Sequence, residues 1–150
     1  MGLFNKRKKF LFDKEQETEI IKAIKDAEHQ TSGEIRIHIE ESCNGDSFER
    51  ALQLFNELGM HQTSQKNGLL FYIAYESHKF SIVADSGINK VVPLNFWEDM
   101  KDLLSENFKK SEFLNGLKEA IRLSGEQLKL HFPYNENEDE NELKDEISKG

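Results

Sequence analysis

The alternation of apolar and polar residues predicts three β-strands. Residues 34–40 alternate strictly, which indicates a half-exposed strand with three isoleucines facing inward. Residues 69–75 are apolar on both faces, as in a central strand, and residues 80–84 alternate again. The polar residues 76–79 separate the last two segments by a short turn, so these segments should form an antiparallel hairpin.

Apolar residues at helical spacing predict four helices around these strands. The helices should begin at about Asp13, Asp46, Asn95 and Ser111. The predicted order is therefore α-β-α-β-β-α-α. The strand–helix–strand unit requires a right-handed crossover and a parallel pairing of the first two strands. This gives an α/β fold, a three-layer α/β/α sandwich with a small mixed sheet whose second strand is central.

Composition divides the chain into one domain and two short tails. Residues 12–134 hold the predicted elements, after a basic tail at 1–11. Residues 135–150 contain seven acids and two bases and lack aromatic residues, so we expect a disordered acidic tail. The net charge is −8, and no basic stripe with interleaved aromatics suggests a nucleic-acid partner.

The sequence also indicates the cellular compartment of the protein. No apolar run approaches the ~20 residues of a transmembrane helix, and the basic N-terminus lacks the apolar region of a secretory signal. Cys43 is the single cysteine, which excludes an internal disulfide and fits a reducing compartment. We therefore expect a cytoplasmic, monomeric protein.

Polar side chains converge at one edge of the predicted sheet. The first two strands begin at the edge where the third one ends, so Glu34, Asn67 and Asp85 should lie together, joined by Asn89. Carboxylate and amide oxygens are the ligands that Ca²⁺ and Mg²⁺ prefer. These residues predict a divalent-cation site with Asp85 as the principal ligand and the other three as supporting oxygens.

Three further residues, Asn95, Trp97 and Glu98, would form the rim of this site. Asn95 and Glu98 have the spacing of a capping box, and Trp97 suits the apolar core. Structural roles also exist for the predicted ligands. Asn67 precedes a glycine and can serve a turn alone, and Glu34 can occupy the solvent face of its strand.

The opposite edge of the sheet offers a second candidate site. Glu40, Glu41, Asn44 and Asp46 lie there, together with the hairpin turn at 76–78. Ligands often bind at the carboxyl ends of parallel strands. We rank this edge second, because Asp46 is explained as a helix cap and the remaining charges resemble solvated loop residues.

Other site chemistry finds little support. The five histidines are scattered without metal-ligand spacing, and His38 is expected on the strand surface. Cys43 lies in an acidic turn, where neighbouring charge disfavours the nucleophilic thiolate.

Four segments together resemble the TPM domain. They are Thr31–Ile37, Asn67–Leu70, Asp85–Asn89 and Phe108–Gly116, and the resemblance covers residues 12–132. The family occurs in plant thylakoid-lumen proteins tied to photosystem II repair, in a nematode receptor-accessory protein and in many bacterial proteins. The resemblance implies an α/β sandwich. It also implies acid phosphatase activity in some members, divalent-ion binding in an acidic groove in others, and action through partner proteins in still others.

These observations support three functional hypotheses. The first is a divalent-cation-binding TPM-domain protein, and the second is a weak metal-assisted phosphatase. The third is a non-catalytic interaction module whose acidic tail and basic N-terminus contact other proteins. Many family members carry an acidic residue before the Asn-Gly pair where this chain has Lys66, a departure that weighs against the phosphatase more than against ion binding.

Overall fold

The structure is a computed structural model that describes residues 11–134 and 147–150. The predicted basic tail up to residue 10 and residues 135–146 of the predicted acidic tail lie outside the described residues. The described strands are β1 Glu34–Glu40, β2 Gly68–Ala74, β3 Lys79–Ala84 and β4 Ile147–Lys149. The helices are α1 Lys14–Glu28, α2 Ser47–Glu57, α3 Ser86–Asn89, α4 Phe96–Lys109 and α5 Phe113–His131.

The strands form one mixed sheet in the order β3-β2-β1-β4. β1 and β2 run parallel over their full length, with Glu34 opposite Gly68 and Glu40 opposite Ala74. β2 and β3 form the antiparallel hairpin. The predicted pairings and the central position of β2 are confirmed, and every residue of β2 is buried.

β4 corrects the expectation of a disordered tail over residues 135–150. Ile147 to Lys149 pair parallel with β1, opposite Ile37 to Ile39. Composition alone misjudged residues 147–150, because an added strand is stabilised mainly by backbone hydrogen bonds to an open sheet edge. The acidic composition of the residues before Ile147 therefore does not predict whether β4 pairs with β1.

Helices cover both faces of the sheet, which confirms the predicted three-layer α/β/α arrangement. On one face, Ile35, Ile37 and Ile39 of β1 belong to a core that also contains apolar residues of α1, α4 and α5. On the other face, Leu70 and Tyr72 of β2 pack with residues of α2. The two cores make β2 apolar on both sides, as its sequence indicated.

The polar side of β1 is buried, although its alternation predicted a half-exposed strand. Glu34 and His38 are each 3% exposed and Glu40 is 8% exposed. The expectation that Glu34 and His38 lie on a solvent face is therefore wrong. Buried polar groups of this kind require hydrogen-bond partners, and the partners of β1 come from α2, β2 and β4.

Candidate functional site

The parallel alignment of β1 and β2 places the predicted ligands at one edge of the sheet. The backbone N–H of Glu34 donates to the carbonyl of Asn67 over 3.2 Å, and that of Asp85 donates to the carbonyl of Gly68 over 3.0 Å. We call Glu34, Asn67, Asp85 and Asn89 the amino-end site. Glu34 and Asn67 are buried, Asp85 is half-buried and Asn89 is exposed.

The side chain of Asn67 has a fixed orientation. Its Nδ2 donates to Ser32 Oγ over 3.1 Å, and its backbone N–H donates to Thr63 Oγ1 over 3.1 Å. Ser32 Oγ also accepts from Gln65 Nε2 over 3.0 Å. Asn67 Oδ1 is buried and has no hydrogen-bond partner in the described part of the chain. Forming the turn therefore does not use all the hydrogen-bonding capacity of Asn67.

The two carboxylate oxygens of Asp85 have different surroundings. Asp85 is the N-cap of α3, and its Oδ1 accepts from the backbone N–H of Ser86 over 2.7 Å. Its Oδ2 is buried and, like Asn67 Oδ1, lacks a hydrogen-bond partner among the described residues. An oxygen in this state costs about 1–3 kcal/mol unless something else binds it. The two oxygens of this carboxylate therefore differ, because only Oδ1 is hydrogen-bonded within the described residues.

Asn89 and Trp97 are joined by a hydrogen bond. Asn89 Oδ1 accepts from the Trp97 indole Nε1 over 2.9 Å, and Asn89 Nδ2 donates to the carbonyl of Ala84 over 2.9 Å. Both ends of the Asn89 amide are therefore engaged within the protein. Trp97 therefore lies next to Asn89, and its role as a rim residue stays a prediction.

The other two predicted rim residues are not tied to the site by a hydrogen bond. Asn95 is exposed at the start of α4 and makes no side-chain capping bond, so the predicted capping box is absent there. Glu98 is exposed and its carboxylate lies 3.8 Å from Lys101 Nζ. Among the described residues, no group of three His, Cys, Asp or Glu side chains could hold a metal ion.

The short helix α3 and the loop before β2 pack backbone against backbone at the amino-end site. Gly87 N–H donates to the carbonyl of Lys66 over 2.9 Å. A Cβ at Gly87 would lie 2.2 Å from the Gln65 carbonyl oxygen and 2.6 Å from that of Lys66, so no side chain fits between α3 and the loop before β2. Lys66 itself has a left-handed backbone with φ 52°. The positions of Asn67 and Asp85 are therefore coupled.

A second polar cluster occupies the opposite edge, where the sequence placed its lower-ranked site. We call His38, Glu40, Arg50 and Tyr72 the Glu40 cluster. Arg50 binds the carboxylate in a bidentate manner, with Nε 3.0 Å from Oε2 and Nη2 2.9 Å from Oε1. The Tyr72 hydroxyl donates to Glu40 Oε2. A cavity of about 430 Å³ lies beside Glu40 and Arg50 and is lined in part by Cys43 and Asp46.

The environment shifts the protonation equilibria of the Glu40 cluster. Burial raises the pKa of Glu40, but hydrogen bonds from Arg50, Tyr72 and His38 outweigh burial and lower it from 4.5 to about 2. Burial and the hydrogen bond to Glu40 both raise the pKa of Tyr72. At neutral pH the cluster therefore holds an ion pair between Glu40 and Arg50 and a neutral Tyr72.

His38 is neutral at pH 7 because burial lowers its pKa below 6.5, against the raising effect of Glu40. Its Nε2 lies 3.1 Å from Glu40 Oε1, and its Nδ1 lies 2.9 Å from Ser148 Oγ. In the neutral ring, Nε2 carries the proton and donates to the carboxylate, while Nδ1 accepts from the Ser148 hydroxyl. The ring also stacks on Tyr72 with a centroid distance of 6.0 Å.

Sequence reasoning missed four residues of this edge, namely His38, Arg50, Tyr72 and Ser148. Tyr72 carried a weak signal, since it places a hydroxyl in an apolar strand directly opposite His38. No sequence pattern within α2 or β1 indicated that Arg50 would bind Glu40. Ser148 lies in the segment that was expected to be disordered.

Comparison with known proteins identifies the family of this chain. A sequence model of the TPM domain matches residues 7–127. The chain belongs to the TPM-domain family. The segments that carried the resemblance all fall within the matched residues.

Solved structures agree with this assignment. The TPM chain is similar to the BA42 protein of the psychrophilic bacterium Bizionia argentinensis, with 40% identity, a TM-score of 0.87 and coverage of 96% of this chain and 99% of that one. The N-terminal domain of a P. gingivalis protein shares the fold at 16% identity, with a TM-score of 0.68 and 83% of each chain covered. The N-terminal domain of cg2496 from Corynebacterium glutamicum does so at 14% identity and a TM-score of 0.62, with 78% of this chain and 74% of that one covered.

No curated protein matches this TPM chain. None of the helices in the described ranges is both long enough and apolar enough to cross a membrane.

The contact at Gly87 predicts a specific loss of stability. Gly87→Ala should lower the free energy of unfolding by about 1–3 kcal/mol, because the new methyl group meets backbone carbonyls that cannot rotate away. Urea unfolding followed by circular dichroism measures the change. Gly45→Ala is the control, since a Cβ at Gly45 meets no atom within 4 Å. Equal effects of the two substitutions would contradict the packing argument.

The Glu40 cluster predicts a pH dependence of stability. The folded pKa of about 2 lies below the ordinary 4.5, so the Glu40 carboxylate stabilises the fold above pH 4.5, and this contribution is lost as the pH falls toward 2. Between pH 6 and pH 3 the wild-type chain should therefore lose about 2 kcal/mol more unfolding free energy than Glu40→Gln.

Urea titrations at the two pH values measure this difference. Glu49→Gln is the matched control, because Glu49 is an exposed residue in the first turn of α2. It should lose as much stability as the wild type on acidification. If Glu40→Gln loses as much as Glu49→Gln, the carboxylate does not have the proposed role.

Proposed function

We propose that this TPM-domain protein binds a divalent cation at the amino-end site, with Asp85 and Asn67 as its side-chain ligands. The observation that carries the proposal is the pair of buried oxygens Asp85 Oδ2 and Asn67 Oδ1, which lack hydrogen-bond partners among the described residues. Buried oxygens are rarely left without a partner. A hard cation would satisfy both of them.

Hydrogen bonding orients both ligands before any ion arrives. The Asn67 amide is held by its donation to Ser32, and the Asp85 carboxylate is held by the N–H of Ser86. Each side chain therefore keeps one oxygen for the ion while its other polar atom is fixed to the protein. This arrangement reduces the entropy that a cation must overcome to order its ligands.

The chemistry of the ligand set favours weak binding and Ca²⁺. Amide and carboxylate oxygens supported by water suit Ca²⁺, which tolerates irregular coordination, better than Mg²⁺, which demands a near-octahedral shell. With Asp85 as the main carboxylate, the affinity should be low, with a Kd of about 0.1–1 mM. Such a site responds to large changes in Ca²⁺ concentration.

The remaining residues of the amino-end site have supporting roles in this proposal. Glu34 is buried at the same edge, and its backbone N–H donates to the carbonyl of Asn67, which helps to hold the ligand-bearing segment in place. Asn89 uses both ends of its amide to hold Trp97 and the end of β3, so we assign it the positioning of α3 and its N-cap Asp85. The phosphatase and interaction-module hypotheses stay predictions from the sequence.

Titration of the full chain with CaCl₂, followed by backbone amide NMR, tests the site. Saturable shifts should concentrate at residues 32–34, 63–68 and 85–89. Asp85→Asn should weaken binding at least tenfold, because it keeps the capping oxygen and removes the charge. A parallel titration with MgCl₂ measures the expected preference for Ca²⁺.

Asp46→Asn is the matched control for this experiment. Asp46 is also a helix N-cap, whose Oδ1 accepts from Phe48 N–H over 3.0 Å, but it lies at the opposite edge of the sheet. Its substitution should leave the Kd unchanged. Undiminished binding by Asp85→Asn, or shifts confined to the acidic residues 135–146, would refute the proposal.

A further inference from the structure

We propose that the outer edge of β1 is a groove for an extended peptide of another protein chain, and that residues 147–150 are its tethered occupant. The peptide that fits carries an apolar residue, a hydroxyl residue, a basic residue and a glycine in that order. We call this edge the β1 groove and define it by residues 37–40 together with Glu17. Each of the four occupying residues is recognised by a different contact.

The backbone of β1 supplies the first layer of recognition. Ile147 to Lys149 pair with Ile37 to Ile39, and the N–H of Gly150 donates to the carbonyl of Ile39 over 2.9 Å. Strand addition of this kind holds a peptide in an extended form whatever its sequence. The side chains of the groove must therefore provide the selectivity.

Three side-chain contacts distinguish the first three positions of the peptide. Ile147 packs against the apolar core beneath the sheet. The Ser148 hydroxyl lies 2.9 Å from His38 Nδ1, which in the neutral ring is an acceptor. Lys149 Nζ lies 2.9 Å from a carboxylate oxygen of Glu17 on α1. The groove thus distinguishes apolar, hydroxyl and basic residues along the strand.

The fourth position favours glycine. A Cβ at residue 150 would lie 2.5 Å from Glu40 Oε1 and 2.7 Å from His38 Nε2. Neither group can move away easily, because Arg50 and Tyr72 hold the Glu40 carboxylate and His38 donates to it. The Glu40 cluster therefore selects a residue without a side chain by steric exclusion.

The occupant is short enough to be displaced. β4 contains three residues, and the twelve residues 135–146 connect it to the rest of the chain. A segment tethered to its own groove competes at an effective concentration on the order of millimolar, which a free peptide with more contacts can overcome. A cavity of about 90 Å³ beside Lys149 and Gly150, lined also by Phe12 and Glu41, gives a longer peptide such contacts.

Peptide binding to the full chain tests the groove. The probe is a fluorescent peptide with the sequence of residues 145–150, and the receptor is the full chain carrying Gly150→Ala, whose own segment no longer fits. The peptide should bind this variant about tenfold more tightly than it binds the wild-type chain, in which the tethered segment competes. Amide NMR shifts should appear at residues 37–40.

Two controls accompany this measurement. A peptide with alanine at its final position should not bind, because its methyl group meets the Glu40 cluster. Gly45→Ala should bind the original peptide as the wild type does, since Gly45 has open space around its Cα. Equal binding to the wild type and Gly150→Ala, equal binding of the two peptides, or no binding to Gly150→Ala would each overturn the proposal.

Discussion

The parallel pairing of β1 with β2 is the constraint on which the rest of the structure depends. A single register, from Glu34 opposite Gly68 to Glu40 opposite Ala74, fixes the surroundings of both ends of the sheet. At one end it brings Glu34 beside Asn67, and at the other it allows Tyr72 to reach Glu40. A slip of one residue would turn each side chain of β1 to the other face and would abolish both arrangements.

The same register forces a row of polar groups into the protein interior. The isoleucines of β1 enter the core formed with α1, α4 and α5, so the alternate residues must face α2. Burying Glu40 there is unfavourable by itself. The bidentate bond from Arg50 and the hydroxyl of Tyr72 offset that cost, and they make the cluster sensitive to the loss of any member.

Much of the fold could be predicted from local patterns. The alternation of β1, the continuous apolarity of β2 and the hairpin turn gave the sheet and the convergence of Asn67 with Asp85. That Asp85 Oδ2 is buried without a partner could not be predicted, because it depends on how two loops pack against each other. The pairing of Arg50 with Glu40 joins a helix and a strand and leaves no periodic signal.

β4 was missed for a different physical reason. The residues before Ile147 are strongly acidic, and composition measures the capacity of side chains to form a core. Pairing at a sheet edge depends instead on backbone groups, which each residue other than proline offers equally. Short edge strands of this type are therefore hard to recognise in charged terminal segments.

The bond between Trp97 and Asn89 gives the molecule an intrinsic optical reporter. Trp97 is the only tryptophan in the sequence, and its indole N–H is hydrogen-bonded to Asn89 of α3, the helix that Asp85 caps. Its ring also packs edge-on against Phe96 at a centroid distance of 4.9 Å. Tryptophan emission from this chain therefore originates at the amino-end site, and movement of α3 can be followed as a fluorescence change without any attached label.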